Sequence, residues 1–377
     1  MPLAVSAQNA ASLDQTAEAA ILRVATDEGL TGVAEINHAP RTVVSLAQSQ
    51  ASSAQTRGLT DILVGRDPRA VRDLRHELIE GNQSSCRRGL GLALLNAVDV
   101  ALWDLAAQAE DVALWRLLWG ENARSPEIYA TLYTGPARYA DAVERLGEMV
   151  ERLAAVEISA VKVEPLTDCV PEEKVADFVA EGRALVGEDA PLLVDVYQRY
   201  PTADRAAGAL AEMAPSRPLL LETPLPIDDL AEHARLAELT DVPIAAAELY
   251  ESEMEFKALI DFGRVDVVQP WPNRVGVSGA LRVIEHAHRA GRRVIFGGWN
   301  ATPIGELLGL HLAAGLPEGL ALEHAPTTVY DDGFPLRRIG SPCPSPRTGR
   351  LPLPSAPGLG VVLDEELVAF HAKLARS

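Results

Sequence analysis

The 377-residue sequence predicts an α/β fold, a TIM-type (β/α)8 barrel carrying an α+β capping domain. Three observations point there. Eight short aliphatic runs recur from Glu127 onward, with helix-like segments between most of them. The residues before Gly120 have a different texture, a hairpin followed by long helical patterns. Three acidic residues close consecutive aliphatic runs at nearly equal spacing.

In chain order, residues 18–36 read as strand, turn and strand, with Asp27-Glu28-Gly29 as the turn. Asp67-Pro68 is a plausible N-cap and first helical position. Apolar residues recurring at three and four along Leu90–Leu118 mark a helix that must be well buried. The buried strands are Ile128–Leu132, Ala160–Val163, Leu192–Val196, Leu219–Leu221, Ile244–Ala247, Val265–Val268, Val294–Phe296 and Leu320–Leu322. Helical segments alternate with them at 137–153, 172–185, 203–213, 230–239, 251–262, 279–290 and 303–314. This count and spacing fit a closed parallel barrel. An open doubly wound sheet would call for a Gly-rich loop after its first strand, and none is present. The segment 342–360 is rich in Pro, Gly and Ser, and a short helix follows near Glu365–Leu374. The capping domain is therefore placed at residues 1–125, completed by 337–377, and the barrel at 126–336.

Composition bounds the function. Aromatic residues make up 5% of a chain that is 47% hydrophobic, so the cores are aliphatic. The net charge of −19 repels phosphate backbones and anionic lipids, which argues against nucleic-acid and membrane partners. Attracting a small anion then requires a local positive centre such as a metal. No signal peptide is read at the N-terminus, and no stretch reads as long and apolar enough to span a bilayer. Cys86, Cys169 and Cys343 lack metal-ligand spacing and read as reduced thiols of a cytoplasmic protein.

The chemistry is carried by Asp195, Glu222 and Glu248. Each ends a predicted strand, and they are 27 and 26 residues apart, one strand–helix unit each. A barrel brings all three to its C-terminal rim, where barrel enzymes build their sites. Three like charges repel and resist burial unless a hard cation takes their oxygens. Capping a helix or pairing with an arginine accounts for one such acid, and far less well for three in register.

Val194-Asp-Val-Tyr-Gln-Arg-Tyr200, Leu221-Glu-Thr-Pro-Leu-Pro-Ile227 and Pro243-Ile-Ala-Ala-Ala-Glu248 resemble the three metal-ligand segments of the enolase superfamily. Thr26–Glu35, Ala97–Leu105, Leu117–Gly120, Val267–Pro270, Gly297–Asn300 and Pro357–Gly360 extend the similarity over nearly the whole chain. The pattern is closest to the mandelate-racemase-like, acid-sugar-dehydratase branch. The resemblance implies a modified (β/α)7β barrel, one Mg2+, a small carboxylate substrate and a homo-oligomeric assembly. It also implies removal of a proton from the carbon beside a carboxylate, with the charge of the enediolate held by the cation. Loss of a β-hydroxyl then gives a 2-keto acid.

The similarity breaks at the proton-transfer groups. Relatives commonly carry Lys-x-Lys on the second strand, where this chain has Lys162-Val163-Glu164. At the positions of a common Asp–His pair stand Trp271 and Gly297. The remaining candidate bases are Lys162, Glu164, His324, His38 and, further down, Tyr197 and Tyr250. A lysine beside a metal is expected to have a lowered pKa, with Glu164 opposing that. Glu323 matches the family's strand-eight acid that hydrogen-bonds the substrate carboxylate, and His38 lies where the capping loop reaches the site. Trp271 and Trp299 are read as shaping the pocket. Arg87-Arg88-Gly89 resembles a segment of sugar-acid members and equally reads as a solvated pair before a helix. Dehydration is the leading function. A racemase needs two opposed bases, and a non-catalytic barrel binding metal and carboxylate is the alternative of a different class.

Overall fold

The computed structural model describes residues 3–11, 18–36, 39–158, 160–298, 300, 302–326, 328–330 and 335–374. The chain opens with an antiparallel sheet, β1 (Leu3–Ala11), β2 (Glu18–Thr26) and β3 (Thr31–Ile36), paired in that order. The expected hairpin is β2–β3. Its turn places Gly29 at φ 87° and ties Leu30 N–H to Thr26 Oγ1 at 3.1 Å. Four helices follow: α1 (Pro40–Ala47), α2 (Leu59–Leu63), α3 (Val71–Glu80) and α4 (Gly89–Ala109). Asp67-Pro68 does not start a helix. Asp67 Oδ1 accepts the Arg69 N–H at 3.0 Å in a turn, and α3 begins at Val71.

At 21 residues α4 is long and apolar enough to cross a membrane, contrary to the expectation that no segment is. Nearly all of it is buried inside the protein, against β3 on one side and the barrel on the other. Strand and helix approach so closely that a Cβ on Gly32 would lie 2.0 Å from Ala101 O. The two acids of α4 serve as connectors. Asp104 accepts the N–H groups of Val33 (3.0 Å) and Leu359 (2.7 Å), and Asp99 accepts the N–H and hydroxyl of Ser278.

After α5 (Leu114–Trp119) the barrel alternates without interruption. Its units are β4 (Glu127–Leu132), α6 (Tyr139–Leu153), β5 (Val161–Val163), α7 (Val175–Val186), β6 (Leu192–Asp195), α8 (Ala203–Met213), β7 (Leu220–Glu222) and α9 (Leu230–Leu239). They continue as β8 (Ile244–Ala246), α10 (Glu253–Ala258), β9 (Val267–Val268), α11 (Pro272–Arg289), β10 (Arg293–Val294), α12 (Pro303–Ala313) and β11 (Leu320–His324). All eight strands are parallel, β11 pairs with β4, and Glu323 N–H to Phe296 O (2.8 Å) closes the ring. Seven helices join eight strands, the (β/α)7β variant. One residue from each strand region fills the interior: Tyr129, Ala160, Leu193, Leu220, Ala245, Val267, Ile295 and Leu320. The other strand faces join the larger aliphatic core beneath the helices.

Beyond the barrel the chain returns to the sheet. Strand β12 (Gly340–Ser341) pairs with β13 (Val362–Leu363), and α13 (Glu365–Leu374) packs on β1. Arg23 reaches Glu365 at 3.1 Å.

Candidate metal centre

Strand alternation decides what enters the barrel. Leu193 and Leu220 point inward, so Asp195 and Glu222, two residues on and register partners, do too. In the third case alternation alone gives the wrong face, because Ala245 points inward and Glu248 is three residues later. Ala247 adopts φ 96°, unusual for a residue with a Cβ, and this break turns Glu248 toward its neighbours. Oxygens of Asp195, Glu222 and Glu248 all lie within 4.8 Å of one another.

The three acids fit a cation better than they fit each other. Burial, with the neighbouring carboxylates adding to it and Lys162 opposing it, pushes Asp195 up to about 6 and Glu222 up to about 8. Burial and then Glu222 push Glu248 up to about 7. Glu248 Oε1 is buried with no hydrogen-bond partner. An orphaned carboxylate oxygen beside two further carboxylates is the donor set a hard divalent cation takes.

Lys162 lies under this cluster, 1% exposed. Its Nζ is 3.0 Å from both Glu222 oxygens, 3.1 Å from Glu323, 3.6 Å from Asp195 and 3.7 Å from Glu164, above the Tyr129 ring. Burial opposes its charge, but the surrounding acidic groups, Glu222 and Glu323 first among them, together hold the ammonium well above its usual range. The lowered pKa expected for this lysine is that of a lysine beside a bound cation; with the carboxylates alone around it the direction is upward. Glu323 accepts from the Thr131 hydroxyl and, at 2.8 Å, from Gly298 N–H, and these with Lys162 hold it below the ordinary range despite burial. Burial drives Glu164 the other way, well above the carboxylate range, and its carboxylate makes no hydrogen bond among the described residues.

The other candidates divide. Tyr197 stands at the rim, half exposed, and its N–H caps Asp195 Oδ1 at 2.9 Å. Tyr250 turns away, donating its hydroxyl to Ile227 O at 2.5 Å and packing edge-on to Phe256. His324 also leaves the site. A register shift between Leu320 and Leu322 puts Glu323 inside, so His324 faces outward and meets Glu306 of α12 at 3.1 Å. His38 and Trp299 lie outside the described residues. Trp271 lies flat over Gly298, where a Cβ would be 2.2 Å from the indole, and Arg274 stacks above Trp271 at 5.0 Å. Arg88 is exposed and approaches Glu255 at 3.5 Å, outside the cluster.

Sequence reasoning missed Gln269. Its Nε2 donates to Glu222 Oε2 at 2.8 Å, so one carboxylate is held by both an amide and an ammonium. It also missed Tyr129 and Thr131. The signal was available, since Gln269 follows inward Val267 by two residues and Thr131 follows Tyr129 by two.

Known proteins share the fold that carries this site. The family model described as the mandelate racemase/muconate lactonizing enzyme N-terminal domain matches residues 2–119, and the enolase C-terminal domain-like model matches 142–367. The D-galactonate dehydratase of Ralstonia nicotianae is 27% identical, over 94% of this chain and 91% of that protein. The L-talarate/galactarate dehydratase of Salmonella typhimurium is 28% identical, over 85% of this chain and 75% of that protein. A racemase from Streptomyces coelicolor A3(2), solved with bound magnesium, has the same fold: TM-score 0.83, 22% identity, 98% of this chain and 99% of that one. By its two matching domains and its barrel, this chain belongs to the mandelate racemase/muconate lactonizing enzyme family of the enolase superfamily.

Proposed function

We propose that the protein is a metal-dependent hydro-lyase that dehydrates a sugar acid or related hydroxy acid to a 2-keto acid. The observation that carries the reading is the convergence of Asp195, Glu222 and Glu248 at one rim, in a chain whose full-length relatives include acid-sugar dehydratases. A Mg2+ held by these three carboxylates supplies a fixed positive centre for the substrate carboxylate and for the charge left when the α-proton departs. Lys162 is a positioning cation. Its contacts with Glu222 and Glu323 fix two carboxylates whose mutual repulsion would otherwise spread them. Glu323 is fixed at the same rim by Thr131, Gly298 and Lys162.

Glu164 is the group we assign to proton transfer. It occupies the strand position two beyond Lys162, it is buried, and its oxygens are uncommitted to any hydrogen bond among the described residues. A buried carboxyl with a raised pKa and uncommitted oxygens is one that can hold and pass a proton, as general acid–base work requires. Racemisation fits less well, because the opposite wall offers Trp271, Gly297 and Gly298 and no titratable pair among the described residues.

The test is a panel of sugar acids, including galactonate, galactarate and gluconate, incubated with protein and Mg2+ and assayed for 2-keto product with semicarbazide. At least one acid should turn over. Glu164→Gln should cost about a hundredfold or more in kcat while leaving Mg2+-dependent thermal stabilisation in place. Stabilisation by a sugar acid without turnover of any of them would replace this reading with the non-catalytic, carboxylate-binding one.

A further inference from the structure

A cavity of about 590 Å3 lies where α3, the segment entering α4 and the start of α10 meet, and none of the three metal-centre carboxylates lines it. Its charge runs against that of the chain. In a protein of net charge −19, three arginines line this cavity, Arg75, Arg87 and Arg88. One acid, Glu253, stands against them, and it is already held by Arg282 of α11. Arg75 and Ile79, four apart on α3, share the face that lines the cavity. Arg75 is 8% exposed, and its guanidinium makes no hydrogen bond among the described residues. Its ion pair with Asp99 stands at 3.6 Å, because the Asp99 oxygens accept the N–H and hydroxyl of Ser278 instead. The Arg75 Nε is enclosed, but neither Nη nitrogen is, so the tenth of the side chain that stays accessible includes the guanidinium end, in the cavity wall. Arg87 is exposed and has no partner among the described residues, and Arg88 has Glu255 at 3.5 Å.

We propose that this cavity binds a phosphate-type dianion, free or as the head of a phosphate monoester, with Arg75 at its base and Arg87 and Arg88 at its mouth. A guanidinium buried without a hydrogen bond is costly, and an acceptor with several oxygens completes it. Guanidinium forks match phosphate oxygens two at a time. Phosphate suits the cavity better than a single carboxylate. Three guanidinium groups offer more donors than two oxygens accept, and a double negative charge offsets more of theirs. Ile79, Leu92 and Met254 line the same cavity and give the carbon part of an ester an apolar wall.

Calorimetric titration of the full chain at alkaline pH and constant ionic strength tests this. The ligands are inorganic phosphate and glycerol 3-phosphate, with succinate as the carboxylate control. Saturable binding of inorganic phosphate is expected, unchanged by EDTA because no metal-centre carboxylate lines the cavity. Tighter binding of glycerol 3-phosphate would identify the ester as the occupant, and equal or weaker binding the free anion. Arg87→Ala, at an exposed position where substitution costs little stability, should weaken phosphate binding roughly tenfold, the loss of one charge-assisted hydrogen bond. Arg87→Glu should abolish it, and so should Arg75→Met, with thermal unfolding verifying that each variant folds. No saturable heat with phosphate, loss of binding on adding EDTA, succinate binding as tightly as phosphate, or unchanged affinity in Arg87→Glu would each overturn the proposal.

Discussion

His311 gives a pH dependence of stability that can be worked out from its surroundings. It is fully buried on α12. Its Nδ1 accepts the Trp115 N–H at 3.0 Å, so Nε2 carries the ring proton and donates to Leu359 O, also at 3.0 Å. One neutral imidazole thus joins a barrel helix, α5 and the C-terminal return. Burial lowers its pKa from 6.5 to about 4, with the bond to Leu359 opposing the shift. Between those values the unfolded chain binds a proton that the folded chain does not. Stability from this site is therefore present above about pH 6.5 and is lost as pH falls toward 4. At roughly 1.4 kcal/mol per pH decade, the loss amounts to about 3 kcal/mol. The buried carboxylates titrate in the opposite sense, so wild type alone does not isolate the effect. The assay is urea unfolding from pH 4.5 to 8 for wild type and His311→Gln, whose amide retains one acceptor and one donor. The wild-type advantage should be greatest near pH 8 and shrink steadily below 6.5. Parallel stability curves for the two proteins would refute the assignment of a neutral, doubly bonded His311.

Other expectations follow from the same contacts. With metal removed by EDTA, the raised values of Asp195, Glu222 and Glu248 mean that stability falls as pH rises through 6 to 8; the gain in Tm on adding Mg2+ should therefore be larger at pH 8 than at pH 6, and a pH-independent gain would contradict the cluster's electrostatics. Lys162→Met strips the ammonium from between Glu222 and Glu323, and unfolding measurements should show a loss of about 3–5 kcal/mol. Gly32→Ala places a methyl against Ala101 O and should lower stability by about 1–3 kcal/mol; an unchanged denaturation midpoint would show that β3 and α4 can move apart freely.

The barrel was legible because each of its strands is a short aliphatic run that cannot face water on either side. The convergence of three carboxylates was legible because Asp195, Glu222 and Glu248 end three successive runs. What escaped the sequence were breaks in local rules. Strand β1 is built of Ala, Ser, Gln and Asn with few β-formers, and it is recognisable only through its pairing with β2. Helix α11 has a short first turn from Pro272, set off from the predicted helical segment by Gly276, whose φ of 68° breaks the helix against Asn96 and Asp99. The left-handed backbone at Ala247 aims Glu248, and the register shift before Glu323 sends His324 outward. Neither has a composition signal. Gln269 was overlooked for a different reason, since a neutral amide draws less attention than a charge although its position follows from alternation.

The central claim is that this centre removes a proton from the carbon beside a carboxylate and expels the neighbouring hydroxyl. The most direct measurement is proton NMR of the responsive sugar acid in D2O with the Mg2+-loaded protein. The account expects the α-proton resonance to disappear as 2-keto-3-deoxy acid accumulates, and expects both changes to stop with EDTA or in Glu222→Gln. Exchange of the α-proton without any keto product would contradict dehydration, and an unchanged spectrum across the whole acid panel would contradict the chemistry assigned to the site.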